Sequence, residues 1–369
     1  MKKLWILLAV SLLLAVMIDY HDKALSLQTP GRKDKILTFC LIVLLATYSG
    51  LRTWGNDTVT YLQMYDQIAV LPDYLNDMYK FAHGFGFGMV TSILKTLGFS
   101  AQDYLMFYAF VTTTSYVLFV RRYSVSIVFG VFLMFTTGFY TFSFAAIKQC
   151  VATAFCLWAV SCALEKKWVR YGILIAVAVL FHPYSLVYLI VPLMMFRPWT
   201  RWTYIYIIVF FCAGIFLESL IGNVLDVTTL FGSDYTEETL LGEGVNIFRV
   251  AVAFVPIALS LVYRPVLFAD SSKNENLMFN LAMMNALIMF VGLFGTANYF
   301  ARLANYFLPA QVVVLPWMLN KIEGNDRRYL KLACVTGYLG YFYYENAIIR
   351  PFDTGFSQIS LWEYLSHFL

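Results

Sequence analysis

Residues 145–196 read AAIKQCVATAFCLWAVSCALEKKWVRYGILIAVAVLFHPYSLVYLIVPLMMF, and this stretch decides the fold class. Three apolar runs, 145–164, 169–182 and 184–196, are divided by the basic group Lys166, Lys167 and Arg170 and then by His182-Pro183. In lipid such runs satisfy their backbone polar groups only as helices. The pattern is that of a chain that crosses a membrane, turns, and crosses back.

The rest of the 369 residues extends this reading. The chain is 60% hydrophobic and 18% aromatic, and only 13% charged, against roughly 25% in soluble domains. Together with a mean hydropathy of +0.69 this excludes a water-soluble fold. The prediction is an all-α polytopic membrane protein, one integral-membrane domain over 1–369. Further runs place spans near 4–18, 36–50, 104–120, 125–142, 203–219, 246–263, 277–294, 302–319 and 329–344, about twelve in all. The run 4–18 follows Lys2-Lys3 as a signal peptide would, but no small-x-small cleavage site precedes Asp19, so it counts as the first span. GFGFGMVTSILKTL (84–97) is short, glycine-rich and carries Lys95, which marks a re-entrant or interfacial helix.

A net charge of +4, scattered among apolar runs, excludes a nucleic-acid partner. The six cysteines form no CxxC or Cys/His cluster and read as helix-packing residues. No DxD or HExxH spacing is present, so no metal ligands and no cofactor are predicted.

Basic loops fall on alternate sides of the spans, which the positive-inside rule makes cytoplasmic, with 17 Lys and Arg inside and nine outside. Long extracytoplasmic loops then cover about 51–103 and 220–245. Treating 84–97 as a true thirteenth span moves Arg52 inside and gives the same 17 to 9 tally. Charge therefore does not place residues 51–83, and the glycine-rich start of 84–97 favours the outer side.

Three outward cations run against the orientation rule. Lys148, Arg249 and Arg302 each stand at the predicted outer start of an inward-running span, where the helix dipole is already positive. Helix N-termini with a neighbouring Lys or Arg suit a phosphate or pyrophosphate, whereas plain snorkelling to lipid head groups is the alternative. Asn298, Arg302, Asn305 and Tyr306 recur at helical spacing and share a face. In SGLRTWGNDTVTY, Gly50, Gly55 and Asn56 build a turn that carries Arg52 and Asp57. These two either pair with each other or divide the work, Arg52 binding phosphate and Asp57 serving a hydroxyl. His182, extended by Pro183, is either a satisfied polar plug or a proton acceptor. Tyr235, among the acids of 220–245, is a candidate sugar contact.

GLRTWGNDTVTYLQMY, HGFGFGMVTSILKTLGFS, AAIKQCVATAF, LFHPYSLVYLI and RLANYFLPA, taken in order, resemble the EpsG family of Wzy-type exopolysaccharide and O-antigen polymerases over about residues 36–315. Matched position by position, the family's Arg-x-x-Gly-x-Asp element is Arg52, Gly55 and Asp57, its basic-Gln pair Lys148-Gln149, its outer-hairpin His His182, and its late Arg Arg302. The chain departs from the pattern in having Lys148 where Arg is common, and His83 where an acid is common, which makes His83 a spare base or sugar contact.

The resemblance implies a metal-independent glycosyltransferase of the bacterial cytoplasmic membrane, with glycosyltransferase C-like architecture and its site on the extracytoplasmic side. The donor would be the growing glycan on undecaprenyl pyrophosphate and the acceptor a lipid-linked repeat unit, with membrane lipid, a chain-length regulator and a flippase as further partners. A single displacement predicts inversion. Arg52, Lys148, Arg302 and Arg249 would hold the pyrophosphate, His182 or Asp57 the acceptor hydroxyl, and Gln149, Asn298, Tyr306, Tyr235 and His83 the sugars. The rival functions are a flippase of lipid-linked oligosaccharide and a membrane acyltransferase.

Overall fold

A computed structural model describes residues 1–29, 31–76, 84–230, 236–240 and 242–368. Helices dominate. They run α1 (Lys2–Gln28), α2 (Ile36–Gly50), α3 (Thr58–Gln67), α4 (Leu71–Asn76), α5 (Phe85–Thr96), α6 (Ala101–Tyr123), α7 (Ile127–Thr136), α8 (Phe139–Phe142), α9 (Ile147–Leu164) and α10 (Trp168–Phe181). A 3₁₀ segment, Pro183–Met194, leads to α11 (Arg201–Ile215), α12 (Leu217–Leu230), α13 (Glu237–Leu240), α14 (Ile247–Val262), α15 (Arg264–Phe268), α16 (Lys273–Val291), α17 (Ala297–Asn305), α18 (Leu308–Lys321) and α19 (Gly324–Tyr343). A π-helical turn, Tyr344–Ile349, and α20 (Leu361–Leu365) complete the chain.

Helix length does not carry the expected twelve spans. Among the described residues, α1, α6 and α9 are long and apolar enough to cross a membrane, and a fourth span results if α11 and α12, bent by 97°, are taken as one. Local chemistry explains several breaks. Gly138, at φ 82°, interrupts 125–142 between α7 and α8. Pro183 and Pro192 hold 184–196 in the tighter 3₁₀ form. Pro309 is the second residue of α18, so the run 302–319 splits at Tyr306-Phe307, where a proline suits a first turn and not an interior. At 12 residues, α5 spans about 18 Å, short of a bilayer core of about 30 Å. Gly86 and Gly88 let it press on Leu180 and Tyr74, and Lys95 Nζ donates to the carbonyls of Tyr65, Asp66 and Ile68 at the end of α3.

These contacts place Arg52 relative to the rest, which charge counting did not. Gln102, at the start of α6, donates to the carbonyls of Gly50, the last residue of α2, and Arg52, two residues beyond it. At the opposite end Arg121 binds Thr38 and Asp22, and Tyr123 bonds Ser161 near the end of α9. Residues 52, 101 and 148 therefore share one end of the bundle, and a thirteenth crossing at 84–97 would separate them. The sheet lies at that same end: β1 (Arg52–Trp54) pairs antiparallel with β2 (Ser357–Gln358), joining residues some three hundred apart.

Candidate functional site

A cavity of about 690 Å³ opens among residues from that shared end, within the 300–1,000 Å³ usual for ligand sites. The turn after β1 gives it Asn56 and Asp57, the latter capping α3. Thr136, Thr137 and Thr141 come from the α7–α8 break, Arg249 from α14, Asn285 from α16, and Asn298, Arg302 and Asn305 from one face of α17. The last wall is the segment after α19, with Glu345, Arg350, Thr354 and Phe356.

Of the residues singled out in the sequence, Asn56, Asp57, Arg249, Asn298, Arg302 and Asn305 line this cavity. The guanidinium of Arg302 meets no carboxylate among the described residues, and the side chain is exposed. Its setting corrects the helix-dipole argument: Arg302 lies in the last turn of α17, not at the start of a span. Lys148 and Arg249 do lie in first turns, as the second residue of α9 and the third of α14. Arg249 is not free, however. Its Nε and Nη2 reach the two carboxylate oxygens of Glu345 at 2.9 and 2.5 Å.

A second group adjoins the cavity on the α9–α10 side. Lys148 Nζ sits 5.2 Å from the centroid of the Phe87 ring and beside Gly84, which caps α5 at φ 91°. His182 takes the extended backbone its proline demands, and its Nδ1 lies 2.7 Å from the hydroxyl of buried Tyr306. In the tautomer that donates Nδ1–H to Tyr306, Nε2 keeps its lone pair as an acceptor. Lys148 and Arg302 are both within electrostatic range of this ring. Two side chains tie the groups together. Gln149, 1% exposed, donates Nε2–H to the carbonyl of Arg302 at 2.5 Å. Buried Tyr61 accepts the Lys148 N–H at 3.4 Å and is within range of both Asp57 and Arg302.

Arg52 stands apart. It is 1% exposed and outside the cavity lining, with Nη1 donating to Ser49 O at 2.6 Å and Nε to Thr58 Oγ1 at 3.2 Å. Thus it does not pair with Asp57, as one reading of the turn had it, but braces that turn from beneath. Tyr306 and Gln149 are likewise buried and outside the cavity lining, Tyr306 bonded to His182 and Gln149 through its Nε2 to the Arg302 carbonyl. Tyr235 and His83 lie outside the described residues.

The model of the EpsG family matches residues 35–366. The chain belongs to the EpsG family. No curated protein and no solved structure matches it. The match reaches far beyond the motifs read from the sequence, and takes in the segment after α19 that walls the cavity. Membership of the EpsG family supports the general reading of a membrane-bound exopolysaccharide polymerase.

That segment is what sequence reasoning missed. Arg350, exposed and without a carboxylate among the described residues, is a further cavity cation. Its neighbours are clamped by β1–β2 pairing, by Gln358 on the Tyr48 carbonyl, and by Phe352 and Phe356 stacked near Tyr48 and Phe144. A signal existed for Asn285 and Gln311, two amides inside apolar runs, since polar residues at such positions mark functional sites by default.

Proposed function

We propose that this protein joins polysaccharide repeat units, transferring a growing glycan from undecaprenyl pyrophosphate to a lipid-linked acceptor unit at the outer face of the cytoplasmic membrane. The observation that supports it most is the convergence, in an EpsG-family chain, of Arg302, Lys148 and Asp57 around Tyr61 at one end of the bundle, with His182 in turn within electrostatic range of Arg302 and Lys148. A glycosyl pyrophosphate brings its own leaving group, so the protein's task is to stabilise charge on the departing diphosphate and to place and deprotonate a hydroxyl.

In this reading Arg302 and Lys148 grip the diphosphate, with Arg249 beside them if Glu345 releases it. The acceptor hydroxyl, oriented by Asp57 or His182, attacks the anomeric carbon from the side opposite the diphosphate and gives its proton to one of the two. The carbon–oxygen bond to the carrier breaks, and the configuration inverts. Fixed cations do the work of a divalent metal, so EDTA leaves the rate unchanged. Arg52 acts at one remove, holding the turn that presents Asp57. The segment 350–358 closes the site from the other side.

The test is made in cells that produce each variant in wild-type amounts. Arg302→Ala and His182→Ala should leave single repeat units on the carrier, exposed at the outer surface, with little polymer. Units trapped inside would indicate a flippase, and normal polymer from both variants would refute the assignment.

A further inference from the structure

The cavity is charged at its mouth and neutral in its depth. Arg249 and Glu345 belong to the ends of their helices, whereas Asn285 lies six residues, about 9 Å, before the end of α16, and Gln311 lies three residues, about 5 Å, into α18. Both amides line the cavity and both are 1% exposed.

The orientation of each amide is set by its nitrogen. Asn285 Nδ2 donates to the Ala304 carbonyl at 2.8 Å, and Gln311 Nε2 donates to the Val252 carbonyl at 2.6 Å and the Tyr338 hydroxyl at 2.9 Å. Because a carbonyl accepts only, the atom facing it must be the NH₂ group, and the atom left over is in each case the oxygen. Neither Asn285 Oδ1 nor Gln311 Oε1 has a partner among the described residues. A buried acceptor without a donor carries its full desolvation penalty, and two of them at one cavity define what is missing. Thr136 and Thr137 add to the imbalance, since their hydroxyl protons go to the carbonyls of Phe132 and Leu133 and leave only lone pairs for a ligand.

A floor made of acceptors repels an anion and suits a ligand rich in O–H or N–H donors. We infer that the depth of the cavity is a subsite for an uncharged sugar, whose hydroxyl groups donate to Asn285 Oδ1 and Gln311 Oε1. This rests on the polymerase reading and adds to it: the diphosphate is held by cations at the mouth, and a neighbouring sugar is recognised by the amides beneath. Asn280 supplies an internal control. It lies on the same helix, donates its nitrogen to the Met194 and Phe196 carbonyls and also keeps an unpartnered oxygen, but it does not line the cavity.

The probe is the repeat-unit oligosaccharide released from its carrier by mild acid, which carries no diphosphate, titrated by tryptophan fluorescence against the full chain in detergent. Gln311→Met and Asn285→Leu should each weaken binding at least tenfold, while Asn280→Leu stays within twofold of wild type. The inference is overturned if wild type does not bind the released oligosaccharide, if both floor variants bind it normally, or if Asn280→Leu loses as much as they do. A second arm needs no variant: the per-O-methylated oligosaccharide, stripped of hydroxyl donors, should fail to compete on wild-type protein, and equal competition overturns the inference. Failure of the polymerase reading shows elsewhere, as normal polymer from Arg302→Ala cells.

Discussion

The two ends of the bundle use their charges differently. At the end that carries the turns after α1, α6, α9 and α15, cations meet carboxylates: Arg121 pairs with Asp22, Arg122 and Lys167 with Glu165, and Lys321 with Asp270. At the cavity end Arg302 and Arg350 meet no carboxylate among the described residues, Lys148 rests on the Phe87 ring, and Arg249 and the amino terminus of Met1 are paired, with Glu345 and Asp353. At the first end these four cations are held by structure. At the second, charge is left for a ligand.

The largest expected contrast lies between Arg302 and Lys321. Removing a preorganised cation that acts on a departing anion costs about 10²–10³ in rate, so Arg302→Ala should abolish measurable polymer while Lys321→Ala leaves polymer length and yield as in wild type, both judged on gels at matched expression. If Lys321→Ala lost as much, the contrast between the ends would fail. Next comes Arg249→Ala, which strands Glu345, 15% exposed, without its partner. Removing one partner of a partly buried pair leaves the other charge uncompensated, so its Tm should fall below that of the double variant Arg249→Leu with Glu345→Leu, which removes both charges together.

A smaller effect is expected at Gly55. It sits at φ 100°, a backbone region that side chains rarely adopt, and an added Cβ would meet the Gly355 carbonyl. Gly55→Ala should cost about 1–3 kcal/mol and expose the segment after α19 to limited proteolysis. The smallest is Arg122→Ala. Lys167 and Arg122 hold the exposed Glu165 carboxyl below its ordinary value, so whatever stability the pair adds is present above the usual glutamate range and fades on acidification below it. At neutral pH neither Tm nor polymer yield should move.

How far the sequence could be read follows the same division. Composition and the spacing of apolar runs sufficed for a helical membrane chain, and three-and-four spacing put Asn298, Arg302 and Asn305 on one face, where all three line the cavity. Arg302 was misplaced along its helix because Tyr306-Phe307 contains no breaker; Pro309, two residues on, was the signal that a new helix starts there. The wall after α19 had no signal of this kind. Its pairing with Arg52–Trp54 is two or three residues long and spans nearly the whole chain, and no periodicity encodes a contact so local in geometry and so remote in sequence. Arg52 shows the converse. Its motif was legible, yet Gly50 lets α2 approach Met106 of α6 so closely that the guanidinium is enclosed with Ser49 and Thr58.

The central claim, that the cavity end holds a diphosphate, is tested most directly by titrating purified protein with farnesyl pyrophosphate, a short polyprenyl diphosphate. Arg302→Ala and Lys148→Ala should each weaken binding at least tenfold, with Lys321→Ala and Arg122→Ala unchanged. Equal affinity across all four variants would contradict the account.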